Sequence, residues 1–364
     1  MNRKRCKFTK IIAAILIAVM ICGNAGVEGF GKKITAKAAT PIERTLNWNT
    51  EHTGNLDNNE KDVYVFSLKR SGKVNIQLTT EGYVYYCAEI SIYDASDERI
   101  KYYEIEKGSY NYSFELLAGS YKLVIDSVDN EYSFVPKFTP SGETKQESYM
   151  AKNNSTATGT YYTLGKKVRG QLAMNDDAMD IYKLNITKPG YVTIAISSYL
   201  NDYDISVINE YQNDPVYSVT ELGAGSYKKS FFARKGIHYF IIQKDSYNTD
   251  SKYCGSYTFT ITNTGIPTSR ISKVTNSSRK AATVRWNTSS RVDGYQIQYS
   301  VTNTYKKGYT KTVMIRKKAT AATVLRNLRK GATYYVRIRT FKRDSFDVAQ
   351  WSAWSSSAKI RITK

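Results

Sequence analysis

Three runs of residues near the end of the chain decide its fold class: Ala282-Thr283-Val284-Arg285-Trp286, Gly294-Tyr295-Gln296-Ile297-Gln298-Tyr299 and Thr333-Tyr334-Tyr335-Val336-Arg337-Ile338-Arg339. Apolar and polar residues alternate in each run, which is typical of a β-strand with one face in a hydrophobic core. No stretch beyond residue 40 shows sustained helical periodicity. The sequence therefore predicts an all-β protein.

Two landmarks in these runs are typical of a β-sandwich. Trp286 lies on an early strand, and Tyr334 follows the turn Leu328-Arg329-Lys330-Gly331. With these landmarks residues 271–363 resemble a fibronectin type III domain, which we place at residues 268–364. The resemblance implies a spacer or binding module rather than a catalyst, although a fold does not by itself give a function.

An earlier pattern occurs twice with an offset of 118 residues. Asp62-Val63-Tyr64-Val65-Phe66 matches Asp180-Ile181-Tyr182-Lys183-Leu184, and Gly72-Lys73-Val74-Asn75-Ile76 matches Gly190-Tyr191-Val192-Thr193-Ile194. A constant offset across several strands indicates duplication of a whole domain. We expect two jelly-roll-like β-sandwich repeats at residues 40–140 and 160–264, so that the fold is three tandem β-sandwich domains.

The repeated pattern, with its later run Leu117-Ala118-Gly119-Ser120-Tyr121, resembles the pre-peptidase C-terminal domain family of secreted bacterial proteases. The second copy departs from it, because Arg234-Lys235-Gly236 replaces the Leu-x-Ala-Gly run. Related modules form the collagen-binding ends of clostridial collagenases. The resemblance implies a β-sandwich with calcium near its N-terminal edge.

The first 39 residues read as a secretory signal peptide of the Gram-positive bacterial type. A basic start precedes the apolar run Ile11–Ile21, which is too short to span a membrane comfortably, and Ala36-Lys37-Ala38 offers a cleavage site. The alternative is an uncleaved anchor. We expect a mature chain that is secreted or held at the cell surface, with no transmembrane segment after cleavage.

Composition marks the domain boundaries. Residues 141–159 are polar, with almost no apolar residue, and are predicted to be a linker. Residues 265–268 contain Pro267 and are predicted to form a short hinge.

Outside the leader the cysteines are Cys87 and Cys254. They lie in different repeats, so two buried thiols and a bridge between packed repeats both remain open.

Catalytic signals are missing from the sequence. The chain has two histidines, His52 and His238, and no nucleophile, metalloprotease or phosphate-loop motif. His238 is expected on the half-exposed face of a strand. A glycosidase would need only two carboxylates, but no segment remains for a catalytic domain. We therefore expect that the protein is not an enzyme.

Clustered acids before a strand suggest a metal site. Asp176, Asp177 and Asp180 precede or begin the strand of the second repeat, and Asp57, Glu60 and Asp62 occupy the equivalent place in the first. Calcium prefers such oxygen ligands, although Asp and Asn are also ordinary turn residues. Calcium is the only cofactor that the sequence suggests.

Charge is distributed unevenly. Residues 268–364 contain 22 Lys and Arg against three acids, a formal charge of +19, whereas residues 39–267 carry −5. For an exported protein this favours an anionic wall polymer or glycan over nucleic acid. The predicted polyanion-binding residues are Arg316, Lys317, Lys318, Arg326, Arg329 and Lys330.

The run Trp351-Ser352-Ala353-Trp354-Ser355 follows the strand that carries Arg337 and Arg339. Because these arginines are two residues apart, they share the outer face of the strand. The run resembles the form found in cytokine-receptor fibronectin domains, in which tryptophans interleave with arginines. We expect Arg337, Arg339, Trp351 and Trp354 to form a structural cation–π stack.

These features together favour a non-catalytic adhesion or binding protein that engages an extracellular polymer, whether protein, glycan or anionic wall polymer. Two alternatives remain. One is an accessory region that works with a separate secreted hydrolase, and the other is a structural surface stalk.

Overall fold

The structure is a computed structural model that describes residues 41–57, 60–81, 88–126, 128, 130–145, 147–148, 151–174, 177–210, 215–244 and 253–364. The predicted signal peptide, Cys87 and Asp176 lie outside these residues. The described part contains β-strands and no α-helix, so the predicted all-β fold is confirmed. It likewise contains no helix with the length and hydrophobicity needed to cross a membrane.

The first repeat contributes nine strands to the described structure: β1 (Glu43–Thr45), β2 (His52–Leu56), β3 (Lys61–Leu68), β4 (Gly72–Thr80), β5 (Glu89–Asp94), β6 (Arg99–Glu104), β7 (Gly108–Leu116), β8 (Gly119–Asp126) and β9 (Asn130–Pro140). They form two sheets with the strand orders β1-β3-β8-β5-β6 and β2-β9-β4-β7. Strand β1 pairs with β3 in parallel, whereas β5 and β8 of the same sheet pair antiparallel.

The second repeat contains the corresponding strands: β10 (Thr160–Tyr162), β11 (Lys167–Leu172), β12 (Met179–Ile186), β13 (Gly190–Ser198), β14 (Tyr203–Asn209), β15 (Tyr217–Leu222), β16 (Gly225–Ala233), β17 (Gly236–Lys244) and β18 (Gly255–Asn263). Their sheets have the orders β10-β12-β17-β14-β15 and β11-β18-β13-β16. Strand for strand this is the topology of the first repeat, and the predicted duplication is confirmed.

The last part of the chain forms a third sandwich with the strands β19 (Ile271–Ser278), β20 (Ala281–Trp286), β21 (Gly294–Ser300), β22 (Thr310–Ile315), β23 (Ala322–Leu325), β24 (Thr333–Arg343), β25 (Ala349–Trp351) and β26 (Ala358–Arg361). One sheet has the order β19-β20-β23, and the other has the order β22-β21-β24-β25 with β26 also on β24.

Alternating residues of these strands build the cores. On β13 the side chains of Val192, Ile194 and Ile196 are buried while those between them are half-buried or exposed. In the third sandwich Trp286 and Tyr295 pack with ring centres 5.5 Å apart. The hydroxyl of Tyr334 accepts a hydrogen bond from the Arg329 backbone N–H at 3.1 Å, the corner contact expected after this turn.

The described residues fall into two compact units. The first consists of the described parts of Met1–Ser67, Asn75–Tyr112 and Ser120–Lys137, and the second consists of Leu68–Val74, Ser113–Gly119 and Phe138–Lys364. The second and third sandwiches therefore belong to the same unit. Gly190 and Gly265 approach each other at their junction, where a Cβ atom on Gly190 would collide with the Gly265 backbone.

Candidate functional site

Three carboxylates of the second unit meet at one point: those of Glu147, Asp177 and Asp180. One carboxylate oxygen from each lies within 4.8 Å of the others, and all three side chains are buried. Carboxylate oxygens gathered in this way are the ligands that calcium and magnesium prefer in proteins. We call these residues the carboxylate cluster.

Two members of the cluster are held in place by neighbouring groups. Asp180 is the second residue of β12, and its Oδ2 accepts a hydrogen bond from the hydroxyl of Tyr257 on β18. The hydroxyls of Tyr182 and Tyr257 are 2.7 Å apart. Asp177 lies just before β12, and its Oδ2 accepts a 2.6 Å hydrogen bond from the Ala173 backbone N–H. Asp177 and Asp180 are therefore each held by a hydrogen bond from outside the cluster, and Asp180 also has a side-chain hydrogen bond with Glu147.

Glu147 comes from residues 141–159, the predicted linker. Part of this segment is packed, because the side chains of Glu147 and Asn153 are 6% and 5% exposed, whereas residues 155–158 are exposed. The backbone N–H of Ile181 on β12 donates to Asn153 O at 3.2 Å and to Asn153 Oδ1 at 3.1 Å. The segment lies against the second repeat and delivers a carboxylate to it, which an exposed linker would not do.

Burial raises the pKa of every carboxyl group in the cluster. It raises the pKa of Glu147 to about 8, with a further contribution from the charge of Asp177. It raises the pKa of Asp177 to about 7, although the Ala173 hydrogen bond and the Lys244 charge oppose the change. The pKa of Asp180 also lies well above its ordinary value, because of burial first and the Glu147 charge second. Without a further cation the cluster retains protons near neutral pH.

Several other charged groups act on the cluster. Glu143 raises the pKa values of its carboxyls, whereas Lys145 lowers that of Glu147 and Lys152 lowers that of Asp177. Lys244 is itself buried, and its Nζ donates to the carbonyl of Ala173. The lysines therefore offset part of the negative charge, but burial is the largest effect and keeps the pKa values of all three carboxyl groups raised.

The cluster contains buried carboxylate oxygens without a hydrogen-bond partner in the described part of the chain. Asp177 Oδ1 and Asp180 Oδ1 are buried and accept no hydrogen bond from any residue that the structure describes. An unsatisfied buried acceptor costs about 1–3 kcal/mol, and more when it is charged. A divalent cation would engage both atoms and favour the ionised carboxylates. The all-oxygen donor set therefore fits calcium, the ion that the sequence suggested.

The sequence-predicted metal ligands are partly brought together. Asp177 and Asp180 lie in the cluster, and Asp176 lies outside the described residues. Glu147 was missed, because it is far from Asp177 in the chain and sits in a polar segment with no local motif. The only signal for it was an acidic residue in a stretch whose composition suggested a linker.

Cys254 adjoins the same region. It is a free, buried thiol, and Lys244 Nζ lies 3.1 Å from its Sγ. Burial raises the pKa of this thiol, with Lys244 opposing the change. Of the two states left open for the cysteines, Cys254 has that of a buried thiol, and Cys87 lies outside the described residues.

His238 differs from its expected position. It is 1% exposed rather than half-exposed, because β17 is a central strand with β12 on one side and β14 on the other. Burial lowers the pKa of its imidazole. The residue is part of the interior of the second repeat.

A second feature lies at one end of the third sandwich, where four loops meet. The loops are residues 279–280, 301–309, 326–332 and 362–364. The backbone N–H of Leu328 donates to Lys280 O at 2.9 Å, and the N–H of Lys280 donates to Lys364 O at 3.0 Å. The exposed cations of these loops are Arg279, Lys280, Lys306, Lys307, Arg326, Arg329, Lys330 and Lys364. We call this set the basic end, and its four loops contain no Asp or Glu.

The acids of the third sandwich lie at its other end. Asp293 accepts hydrogen bonds from Lys342 Nζ and the Arg343 backbone N–H, each at 2.7 Å, and Asp347 pairs with the Arg343 side chain at 2.8 Å. Asp344 lies in the same loop region and accepts from the Val348 N–H. Because β24 has 11 residues at about 3.3 Å each, these acids are about 30 Å from the basic end.

The predicted polyanion-binding residues are divided between the two ends. Arg326, Arg329 and Lys330 belong to the basic end. Arg316, Lys317 and Lys318 lie between β22 and β23, at the opposite end of the short strand β23. All six side chains are exposed, but the structure does not bring the two runs together.

The predicted arginine–tryptophan residues are in contact. The guanidinium of Arg337 lies 4.4 Å from the ring centre of Trp354, and that of Arg339 lies 4.0 Å from Trp351 and 4.4 Å from Trp354. Tyr305, which the sequence did not suggest, adds a further ring 3.9 Å from Arg337. The stack is held on β21 by hydrogen bonds from both guanidinium groups to glutamine side chains.

Comparisons with known proteins identify the third sandwich. Residues 267–357 match the family model described as Fibronectin type III domain, as predicted. A search of curated proteins gives no match. Such domains are generally binding or accessory modules rather than catalysts.

Solved structures similar to parts of the chain include both kinds of domain that the sequence resembles. The pre-peptidase C-terminal domain of collagenase from Bacillus anthracis has 17% identity and a TM-score of 0.25, covering 28% of this chain and 93% of its own. The fn3 domain of human collagen alpha-1(XX) chain has 17% identity and a TM-score of 0.23, covering 28% of this chain and 89% of its own.

Proposed function

We propose that this chain is a non-catalytic binding protein, secreted or displayed at the cell surface, that holds an anionic polymer at the basic end of its fibronectin type III domain. The observation that carries the proposal is the concentration of exposed Lys and Arg in four adjoining loops that contain no carboxylate. The acids of the same domain are occupied by lysine, arginine and backbone groups about 30 Å away.

The position of the basic end supports this role. The second repeat contacts the opposite end of the domain, where the Tyr191 hydroxyl donates to Arg291 O at 2.5 Å. Loops at a domain end that is not used for this contact are accessible to a long polymer. Polyphosphate-type wall polymers and sulfated or uronate-containing glycans share the repeated negative charge that such a surface attracts.

Paired charge reversals in the full mature chain test the proposal. Arg326→Glu/Lys330→Glu changes the basic end, and Lys317→Glu/Lys318→Glu gives the same change of net charge at the other end. On heparin and teichoic-acid resins the first variant should elute at lower salt than the second. Equal shifts would mean that net charge alone retains the protein.

The salt concentration at which the unmodified chain elutes from these resins is a second test of the proposal. Exposed ion pairs are screened as the Debye length falls from about 10 Å at 0.1 M to about 3 Å at 1 M ionic strength. The unmodified chain should therefore bind at low salt and be released as salt rises. No retention at low salt would favour the structural stalk, and a hydrolase recovered with the chain would favour the accessory region.

A second role concerns the carboxylate cluster, because the buried Oδ1 atoms of Asp177 and Asp180 have no described partner. Here Glu147, Asp177 and Asp180 would hold a calcium ion that fastens residues 141–159 to the second repeat. An ion that binds only the folded chain raises its stability by RT ln(1 + [L]/Kd), about 2.7 kcal/mol at 100 times Kd. The melting temperature should rise with millimolar calcium and fall with chelator, and Asp180→Asn should abolish the difference.

A further inference from the structure

The first repeat builds the same carboxylate–tyrosine arrangement as the second, but with its own cation. On β3 the Asp62 Oδ2 atom accepts a 2.5 Å hydrogen bond from the Tyr132 hydroxyl, which lies 3.0 Å from the hydroxyl of Tyr64. The guanidinium of Arg44 completes the group, with Nη1 3.1 Å from Asp62 Oδ2 and 3.2 Å from the Tyr64 hydroxyl. The buried carboxylate is therefore neutralised within the repeat.

Asp180, Tyr182 and Tyr257 are the counterparts in the second repeat. Asp180 accepts a hydrogen bond from the Tyr257 hydroxyl, and the two tyrosine hydroxyls are 2.7 Å apart. The two repeats differ in the cation that pairs with this aspartate. No Lys or Arg among the described residues forms an ion pair with Asp180, and its Oδ1 accepts no hydrogen bond from them.

Strand register identifies the residue responsible. Strand β1 pairs in parallel with β3 so that Arg44 lies opposite Tyr64. Strand β10 pairs in parallel with β12 so that Thr160 lies opposite Tyr182. Thr160 thus occupies the position of Arg44, and its short neutral side chain cannot provide a charge.

A cavity adjoins Thr160. Thr160 and Tyr182 line a cavity of about 290 Å³ together with Asn153. The ammonium of Lys145 lies 3.4 Å from Thr160 Oγ1 and forms no ion pair with Asp180, whereas Arg44 contacts Asp62 directly although its side chain is 42% exposed. The second repeat keeps the acid and the two tyrosines of this group but has no arginine or lysine paired with Asp180 among the described residues, since its buried Lys244 donates to the carbonyl of Ala173 instead.

We propose that the residue at this register position decides whether a repeat takes a metal ion. Arg44 is the built-in cation of the first repeat, which therefore needs no ion, and Thr160 leaves the second repeat dependent on a bound one. The inference rests on the proposed calcium role of the carboxylate cluster. It also revises the expectation for Asp62, whose carboxylate is already engaged by Arg44 and Tyr132.

The decisive experiment is to move the cation into the second repeat. Calcium binding to the mature chain is measured by calorimetry and equilibrium dialysis for the unmodified chain, Thr160→Arg and the neutral control Thr160→Gln. We expect a single ion for the unmodified chain and for Thr160→Gln. In Thr160→Arg a like charge beside the ion should weaken binding by at least about tenfold, with the melting temperature no longer dependent on calcium.

A second pair of variants tests the first repeat without any metal. Arg44→Gln should lower the melting temperature of the first unit equally in calcium and in chelator, and Arg44→Lys should retain part of the lost stability. An unchanged melting temperature for Arg44→Gln would overturn the role of Arg44. This readout also holds if Thr160→Arg fails to fold.

The possible failures are distinguishable. If the unmodified chain binds no calcium, the proposed calcium role fails, and the Arg44 variants still decide whether the first repeat carries its own cation. If the unmodified chain binds two ions, or if Thr160→Arg binds calcium as tightly as Thr160→Gln, the calcium role survives and the inference about the register position is wrong.

Discussion

Arg291 lies over the ring of Tyr191, with its guanidinium carbon 3.9 Å from the ring centre, and its backbone carbonyl accepts a 2.5 Å hydrogen bond from the Tyr191 hydroxyl. This double contact joins the second repeat to the fibronectin type III domain within one compact unit. The Thr340 hydroxyl also donates to Pro267 O at 2.5 Å, so the short connection between the two sandwiches is fixed as well. The predicted hinge is therefore a packed junction.

Removing the Tyr191 ring should loosen this junction. Tyr191→Ala loses a cation–π contact and a hydrogen bond, about 1–2 kcal/mol together. Limited proteolysis should then cut near residues 264–268 faster than in the unmodified chain. Tyr199→Ala is the control, because Tyr199 is 79% exposed and has no such contact. Equal cleavage rates for both variants would show that the contact does not restrain the junction.

The effect of calcium should depend on pH in a defined direction. In the folded, metal-free chain the pKa values of Glu147 and Asp177 are raised to about 8 and about 7, so the folded state binds protons that the unfolded state has released. Stability from this source is fully present below about pH 4, the ordinary pKa of these groups, and is lost as the pH rises through 7 to 8.

Calcium competes with these protons, so its stabilising effect should be small at pH 5 and large at pH 8. The measurement is the melting temperature in chelator and in millimolar calcium at both pH values. Asp180→Asn, which removes one member of the cluster, should show little calcium effect at either. A calcium shift of the same size at pH 5 and pH 8 would contradict the assignment of the ion to these carboxylates.

The arginine–tryptophan stack should contribute stability and not binding. Trp354 lies between Arg337 and Arg339, with ring-to-guanidinium distances of 4.4 Å to each. Trp354→Ala should lower the free energy of unfolding by at least about 1–2 kcal/mol, since each contact contributes about 0.5–1 kcal/mol and packing is lost too. Retention on heparin should not change. Weaker retention with unchanged stability would instead make the stack part of the polymer site.

Short-range patterns were enough to predict the fold. Alternation on strands such as β13 and β24, together with Trp286 and the Tyr334 corner, indicated sandwiches because the burial of every second residue is a local property of a strand. The duplication could also be predicted from the sequence, because matching runs recur with a constant offset of 118 residues. The arginine–tryptophan stack could also be predicted, since Arg337 and Arg339 are two residues apart on one strand and the tryptophans follow closely.

Only the tertiary structure decided which distant residues meet. Glu147 joins Asp177 and Asp180 because a segment with almost no apolar residue packs against β12 of the second repeat, and no local periodicity encodes that contact. The two basic runs lie at opposite ends of β23 because strand direction, not spacing in the sequence, sets the end at which a loop emerges. Arg44 and Thr160 became comparable only through the parallel pairing of β1 with β3 and of β10 with β12. The sequence by itself determined the strands and the total charge, whereas the pairing of the strands determined where charges gather and which of them are neutralised.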